Sequence, residues 1–318
     1  RKAPYFQTAS KPLPATAMTP NHTPQQTRTG LYYALACYAI WGLFPLYWYP
    51  LNQSPIDAPQ LLAQRIVWSA VFALILIAAA RQTHELAAAL RQSKTLALFA
   101  LSAFSISMNW LVYLWAVVHH HILDASLGYF VSPLFNILLG RLVFGEKLNR
   151  RQSAALILAL CGILWLAVPA GKIPWVAILL TLSFGIYGLV RKTAPLGALP
   201  GLVLETLLML PFAAAYLLYV QSSGKLVFAE LTALQTALLI GSGVITTVPL
   251  LLFAASARRI SLSTLGIIQY GSPTIQFLLG LFVFGETFDR TRFLGYILVW
   301  IGVALYVSGL LQNRQKAV

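Results

Sequence analysis

Residues 132–146 read SPLFNILLGRLVFGE, and residues 272–286 read SPTIQFLLGLFVFGE, the same apolar phrase 140 positions further along the chain. Ser-Pro, Leu-Leu-Gly and Val-Phe-Gly-Glu recur at matching places, and the register holds as far as Arg150 and Arg290. Upstream, with a slip of two residues, Leu127-Gly128 pairs with Leu265-Gly266 and Ile122 with Ile260. Further back, Trp41-Gly42-Leu43 pairs with Tyr187-Gly188-Leu189, and Pro59 with Pro200. The chain is written as two related halves.

Each half is made of membrane-length runs. Of 318 residues, 58% are hydrophobic and 9% charged, and the mean hydropathy is +0.75; a water-soluble domain carries far more charge. A hydrocarbon core about 30 Å thick takes roughly 20 apolar residues per helix. Ten such runs occur, near 31–51, 59–80, 95–118, 122–143, 152–170, 174–190, 199–220, 232–256, 260–284 and 292–311. Backbone groups in lipid must bond within the protein, which favours antiparallel neighbouring helices. Five is odd, so a second five-helix unit joined directly to the first enters the membrane from the opposite face. The expected fold is an all-α membrane protein of ten transmembrane helices in two inverted repeats, at 31–170 and 171–312. Residues 1–30, rich in Pro, Thr and Gln, are expected to be a disordered cytoplasmic tail, and 313–318 a second one. Met18 lies close upstream of the first run, so residues 1–17 are also open to being an upstream extension.

Charge fixes the direction. The 22 Lys and Arg against 8 Asp and Glu give a net charge of +14, but no basic patch interleaved with aromatics lies outside the apolar runs, so nucleic acid is not an expected partner. With both termini inside, 16 basic residues face the cytoplasm, among them Arg91, Lys147, Arg191, Lys192, Arg258 and Arg259, against four outside. That asymmetry is what the positive-inside rule requires. Cys37 and Cys161 sit alone in apolar runs, which argues against a disulfide framework or a metal site.

Inverted repeats recur in secondary transporters, with the site near the midplane between the halves. The doubled Ser-Pro…Leu-Leu-Gly…Phe-Gly-Glu helix resembles the EamA repeat of the drug/metabolite transporter superfamily. Residues 109–140, NWLVYLWAVVHHHILDASLGYFVSPLFNILLG, and 262–280, LSTLGIIQYGSPTIQFLLG, are similar to the RarD branch of EamA permeases. The resemblance covers about residues 30–310. It implies a multi-pass protein of the bacterial inner membrane that moves small metabolites or drugs outward. The triple histidine His119–His121 matches no motif of that family; three adjacent residues cannot share one helical face, and a solvated interfacial loop is expected there, with a metal site or pH sensor as the alternative.

Candidate working residues follow from position. Gly145 and Glu146 are expected to end one helix and open the next, the acid favoured near a helix N-terminus, with Gly285 and Glu286 repeating this on the other face. Pro133 and Pro273 fall mid-helix, where each removes a backbone hydrogen bond and bends the chain. Ionised groups inside spans are costly and usually face a cavity or a partner. Arg65 lies six residues past Pro59, roughly 9 Å below the outer end, and Glu205 at about the matching depth from the inner end. Some 12 Å of depth then separates them, so each needs its own partner. Asp124 is the outer acid near Arg65; Arg141, Arg258 and Arg259 are bases near Glu205. Arg65 is a candidate for holding a carboxylate-bearing substrate, and Glu205, with Asp124, for proton coupling; structural ion pairs are the alternative. The cavity lining is expected to be aromatic and amide-rich, drawn from Trp41, Tyr47, Asn109, Trp110, Tyr113, Tyr129, Asn136, Tyr187, Thr247, Gln269, Tyr270 and Gln276, since a few polar groups orient a ligand in an apolar pocket.

No GxxxxGK[ST], HExxH or GxSxG occurs, so direct ATP use, zinc proteolysis and esterase chemistry lack their signatures. The expected activity is secondary transport by alternating access, without cofactor or metal. An intramembrane enzyme, a channel and a scaffold are the rivals. Expected partners are the lipid bilayer and a small-molecule substrate, with protons and a second copy of the chain, as a homodimer, as further candidates.

Overall fold

A computed structural model describes residues 23–51, 54–119, 122–167, 175–285 and 290–315. Among the described residues there is no strand. Twelve helices run α1 Pro24–Trp48, α2 Ala58–Ala79, α3 Thr83–Leu90, α4 Ser93–Val118, α5 Ile122–Phe144, α6 Arg150–Ala167, α7 Trp175–Thr193, α8 Ala198–Ser222, α9 Ala233–Ala257, α10 Leu262–Gln269, α11 Gly271–Phe282 and α12 Arg290–Gln315. Among the described residues seven segments are long and apolar enough to cross a membrane: Pro24–Leu51, Ala58–Ala79, Ser93–Ala116, Trp175–Thr193, Ala198–Ser222, Ala233–Ala257 and Leu262–Phe282. Shorter apolar stretches occupy Gly128–Phe144 and Phe293–Gly309.

Local chemistry sets several starts. Helix α1 begins at Pro24, inside the stretch expected to be tail, because Thr23 and Gln26 form a reciprocal capping box with proline at the first position. Thr232 and Gln235 do the same for α9, and Asp57 and Ser261 cap α2 and α10. The short helix α3 was not expected; its sequence THELAAAL is one amphipathic face of two turns, with Leu86 and Ala89 buried against α8.

The two halves interleave. Helices α2 and α8 pack on each other, as do α5 and α10, and α6 and α12. Helix α1 packs on α9 and α11, while α7 packs on α4 and α5. Small residues let backbones approach: a Cβ at Gly162 would lie 3.1 Å from the Gly295 carbonyl oxygen of α12, and one at Gly266 would lie 2.6 Å from the Pro133 carbonyl oxygen of α5. Such crossings stand in for a hydrophobic driving force that lipid does not supply.

The repeated Ser-Pro behaves differently in the two halves. Helix α5 runs through Pro133, which lies mid-helix, with the Ser132 hydroxyl donating to the Gly128 carbonyl at 2.8 Å. In the second half the helix does break, between Gln269 and Gly271, and Pro273 lies in the first turn of α11, where its missing N–H costs little.

Candidate functional site

One end of the bundle carries the basic residues 191, 192, 258 and 259, and here bonds within the second half tie the end of α7 to the end of α9. The Lys192 ammonium, at the end of α7, donates to the carbonyls of Ala257 (2.9 Å) and Ile260 (2.6 Å), and Arg258 donates to those of Ala194 and Leu196, both at 2.7 Å. Cations thereby meet the carbonyls that a helix leaves unpaired at its C-terminus. Burial, with Arg191 and Arg259 alongside, holds the Arg258 guanidinium below the ordinary arginine value.

Glu146 adds the bonds between the halves that seal this end, in a way its local sequence did not announce. Gly145 has φ +63°, and the Glu146 N–H bonds back to the Gly140 carbonyl at 3.1 Å, closing α5 with a left-handed cap. The carboxylate, however, does not open the following helix. It accepts from the backbone N–H groups of Leu262 (2.8 Å) and Ser263 (3.0 Å) and from the Ser263 hydroxyl, capping α10 of the other half. The equivalent Glu286 lies outside the described residues.

Above this seal an aromatic layer closes the bundle. Trp41 meets Tyr38 at 5.5 Å between ring centroids and Phe184 and Phe253 at 5.9 Å, and Tyr187 stacks on Phe253 at 5.5 Å. Cys37, Tyr38, Tyr187 and Phe253 are fully or almost fully buried in this layer.

Beyond the aromatic layer, toward the opposite end, lies a cavity of about 770 Å³. It is formed where the C-terminal parts of α1 and α4, the N-terminal parts of α2 and α7, and the α10–α11 break come together. Of the residues expected to line it, Trp41, Arg65, Asn109, Trp110, Tyr113, Tyr129, Gln269 and Gln276 do so, together with Pro273. Asn136, Tyr187 and Tyr270 do not. Asn136 donates to the Gln269 side chain at 2.8 Å and Tyr270 to the Phe130 carbonyl at 3.2 Å, so both clamp α5 to the broken helix from behind the wall. Tyr187 is part of the buried aromatic layer and does not reach the cavity.

Two lining residues escape the sequence reading by one position each. Trp48 lines the cavity where Tyr47 was expected, and Thr246 where Thr247 was; one residue is about 100° of helix. Tyr47 instead donates to the Leu238 carbonyl. Ser132 and Ser272, the paired serines of the repeated phrase, both reach the wall.

Among the described lining residues Arg65 is the one ionised side chain. Its Nε donates to Thr246 Oγ1 at 3.3 Å, and its guanidinium carbon lies 5.0 Å from the Trp48 ring centroid and 5.3 Å from that of Trp110. Both rings hold the planar group by cation–π attraction. The Asp124 side chain lies outside the described residues. Glu205 is elsewhere: 1% exposed, it pairs with Arg191 at 3.4 Å and accepts from Ser102. Its partner is thus none of Arg141, Arg258 and Arg259, but a residue expected to serve only as a loop charge. Arg191 also donates to the Ala198 carbonyl at 2.7 Å and lies over the Phe99 ring. Of the triple histidine, His119 stacks on Trp115 at 4.3 Å, and His120 and His121 lie outside the described residues. Among the described residues no cluster of three or more metal-ligating side chains occurs.

Comparison with known proteins bears on this architecture. A model described as the EamA-like transporter family matches residues 28–168. Protein RarD of Escherichia coli (strain K12) is 39% identical over 292 residues, which is 92% of this chain and 98% of that protein. The chain belongs to the EamA-like transporter family, in its RarD-like branch. An uncharacterized transporter, YojE, of Bacillus subtilis (strain 168) is 43% identical over 286 residues, covering 88% of this chain and 94% of its own. The chloramphenicol-sensitive protein RarD of Pseudomonas aeruginosa is 32% identical over 283 residues, 87% of this chain and 92% of its own. A solved structure titled "Crystal structure of protein" shares the fold at a TM-score of 0.65 and 14% identity, over 88% of this chain and 97% of that one. The chain is a multi-pass protein of the bacterial inner membrane, and family and relatives point to a membrane transporter rather than an enzyme.

Proposed function

We propose that the chain is a secondary transporter that exports small metabolites or drugs by alternating access. Ten transmembrane helices form two inverted five-helix repeats with both termini in the cytoplasm. The packing pairs support this reading: exchanging each helix for its counterpart in the other half turns the α1–α9 contact into α7–α4, and α1–α11 into α7–α5. The observation that carries it is the cavity between the halves, sealed at the basic, cytoplasmic end and lined at the other by Trp48, Tyr49 and Phe284. That arrangement suits the outward-facing member of an alternating pair.

Arg65 is the residue proposed to hold the substrate, with the aromatic wall receiving its apolar part. Glu205 fits better as half of a structural ion pair than as a coupling acid, because Arg191 and Ser102 occupy its carboxylate outside the cavity. Purified protein in proteoliposomes loaded with a broad solute panel tests the proposal. Saturable efflux that shows counterflow supports a carrier; conductance without saturation or counterflow would make it a channel.

A further inference from the structure

We infer that the substrate is an amphipathic organic monoanion whose carboxylate seats on Arg65 and whose planar apolar body lies among the cavity aromatics. This rests on the transporter reading for its biology, and on the cavity alone for its chemistry.

The Arg65 guanidinium is only partly engaged. Nε is occupied by Thr246, while Nη1 and Nη2 have no hydrogen-bond partner among the described residues. The residue is only partly buried and lines the cavity, so its two terminal nitrogens face space a ligand can enter. Trp48 and Trp110 both lie against the guanidinium and restrict its movement. A planar fork of unpaired N–H donors matches the two oxygens of a carboxylate, a bidentate geometry that an ammonium cannot copy. Arg191 supplies the contrast within the same molecule: paired with Glu205 and a backbone carbonyl, it offers no such fork.

Charge decides the number of anionic groups. Among the described residues that line the cavity there is no Asp, Glu, Lys or His, so the Arg65 charge meets no counter-charge among them. One carboxylate neutralises it. A dianion such as a phosphate monoester would leave a net negative charge in an apolar-walled cavity, and an amine would add a second cation beside the first; both are disfavoured where water is scarce. A zwitterion gains the carboxylate contact but must desolvate its ammonium against neutral partners only. The remaining polar groups, Asn109, Ser132, Gln269, Ser272 and Gln276, suit hydroxyl, amide or carbonyl substituents. Trp41, Phe44, Tyr113, Tyr129 and Phe184 supply ring faces for a planar body.

The charge also bears on energetics. A monoanion leaves a cell of negative interior down the electrical gradient, and about 100 mV sustains roughly a 50-fold outward gradient. Export then needs no coupled proton, in keeping with the position of Glu205 outside the cavity.

Four probes of one skeleton test this with the full chain in lipid nanodiscs, by tryptophan quenching and calorimetry: 3-phenylpropionate, phenylalanine, 3-phenylpropanamide and 3-phenylpropylamine. The carboxylate should bind at least about tenfold more tightly than the amide and the amine, with the zwitterion between. Arg65→Gln should abolish that preference, and Arg65→Lys, which keeps the charge but not the fork, should retain it in weaker form, both with unchanged helical content. Equal affinity for acid and amide, tightest binding of the amine, or no binding of either carboxylate over an empty bilayer would overturn the assignment. Arg65-dependent carboxylate binding without any flux in proteoliposomes would sink the transport reading and leave the ligand class standing. Flux of neutral or cationic solutes that ignores Arg65 would do the reverse.

Discussion

Replacing Glu146 by glutamine should loosen the seal at the basic end of the bundle, the cytoplasmic end in the proposed topology, without emptying the core. The carboxylate accepts three donors at the N-terminus of α10: two backbone N–H groups and the Ser263 hydroxyl. A glutamine offers one acceptor oxygen, turns an NH₂ toward the remaining donors, and removes the negative charge from a helix N-terminus. Hydrogen bonds to charged groups contribute about 1.5–3 kcal/mol and the helix-end charge about 0.3–1 kcal/mol. Glu146 is only half-buried, so solvent screening brings the net loss to about 1–2 kcal/mol, a factor of roughly 5–30 in favour of states in which the halves part at this end. Cys37 is a built-in reporter, being fully buried in the same cluster as Ile260 and Leu262 of the capped segment. In a Cys161→Ser background, a charged maleimide added from the cytoplasmic side should label Cys37 some 5- to 30-fold faster in Glu146→Gln, since labelling follows the open population when opening is fast. Unchanged labelling in a protein that keeps its melting temperature would refute the latch.

Other perturbations separate structural from working residues. Glu205→Gln leaves the buried Arg191 without its counter-charge and should cost about 3–5 kcal/mol of stability, read as a lower midpoint in detergent; Glu205→Met with Arg191→Met should recover most of it. A residual pH dependence of flux that disappears in Glu205→Gln, with stability intact, would instead assign that residue to coupling. Gly266→Ala places a methyl against the Pro133 carbonyl and should cost about 1–3 kcal/mol, whereas Gly271→Ala, with open space around it, should be near neutral; equal effects would contradict the close α5–α10 crossing.

Much of the helical layout was legible because membrane-length apolar runs and the doubled phrase are strong signals that do not depend on tertiary contacts. The charge asymmetry was equally open to view, but the work its residues do was not. Lys192, Arg191 and Glu146 make their bonds to groups 7 to 117 positions away, and nothing around them in the sequence names the partner. Glu146 is a helix cap, as its local sequence suggests, though of a helix in the other half. The lining residues were recognisable by chemistry but not by rotation: Trp48 for Tyr47 and Thr246 for Thr247 are errors of one position, which an apolar helix with little amphipathic pattern cannot prevent. Asn136 and Tyr270 have the polarity of ligand-binding groups and spend it on the break between α10 and α11.

Alternating access requires that one wall of the cavity meet both sides of the membrane in turn. Ser272→Cys, on a background with Cys37 and Cys161 replaced by serine, puts a thiol on that wall with little change of shape. In right-side-out and inside-out vesicles the account predicts labelling by an impermeant reagent from each side, with Glu146→Gln raising the cytoplasmic rate. Labelling from one side alone, in both variants, would contradict alternating access.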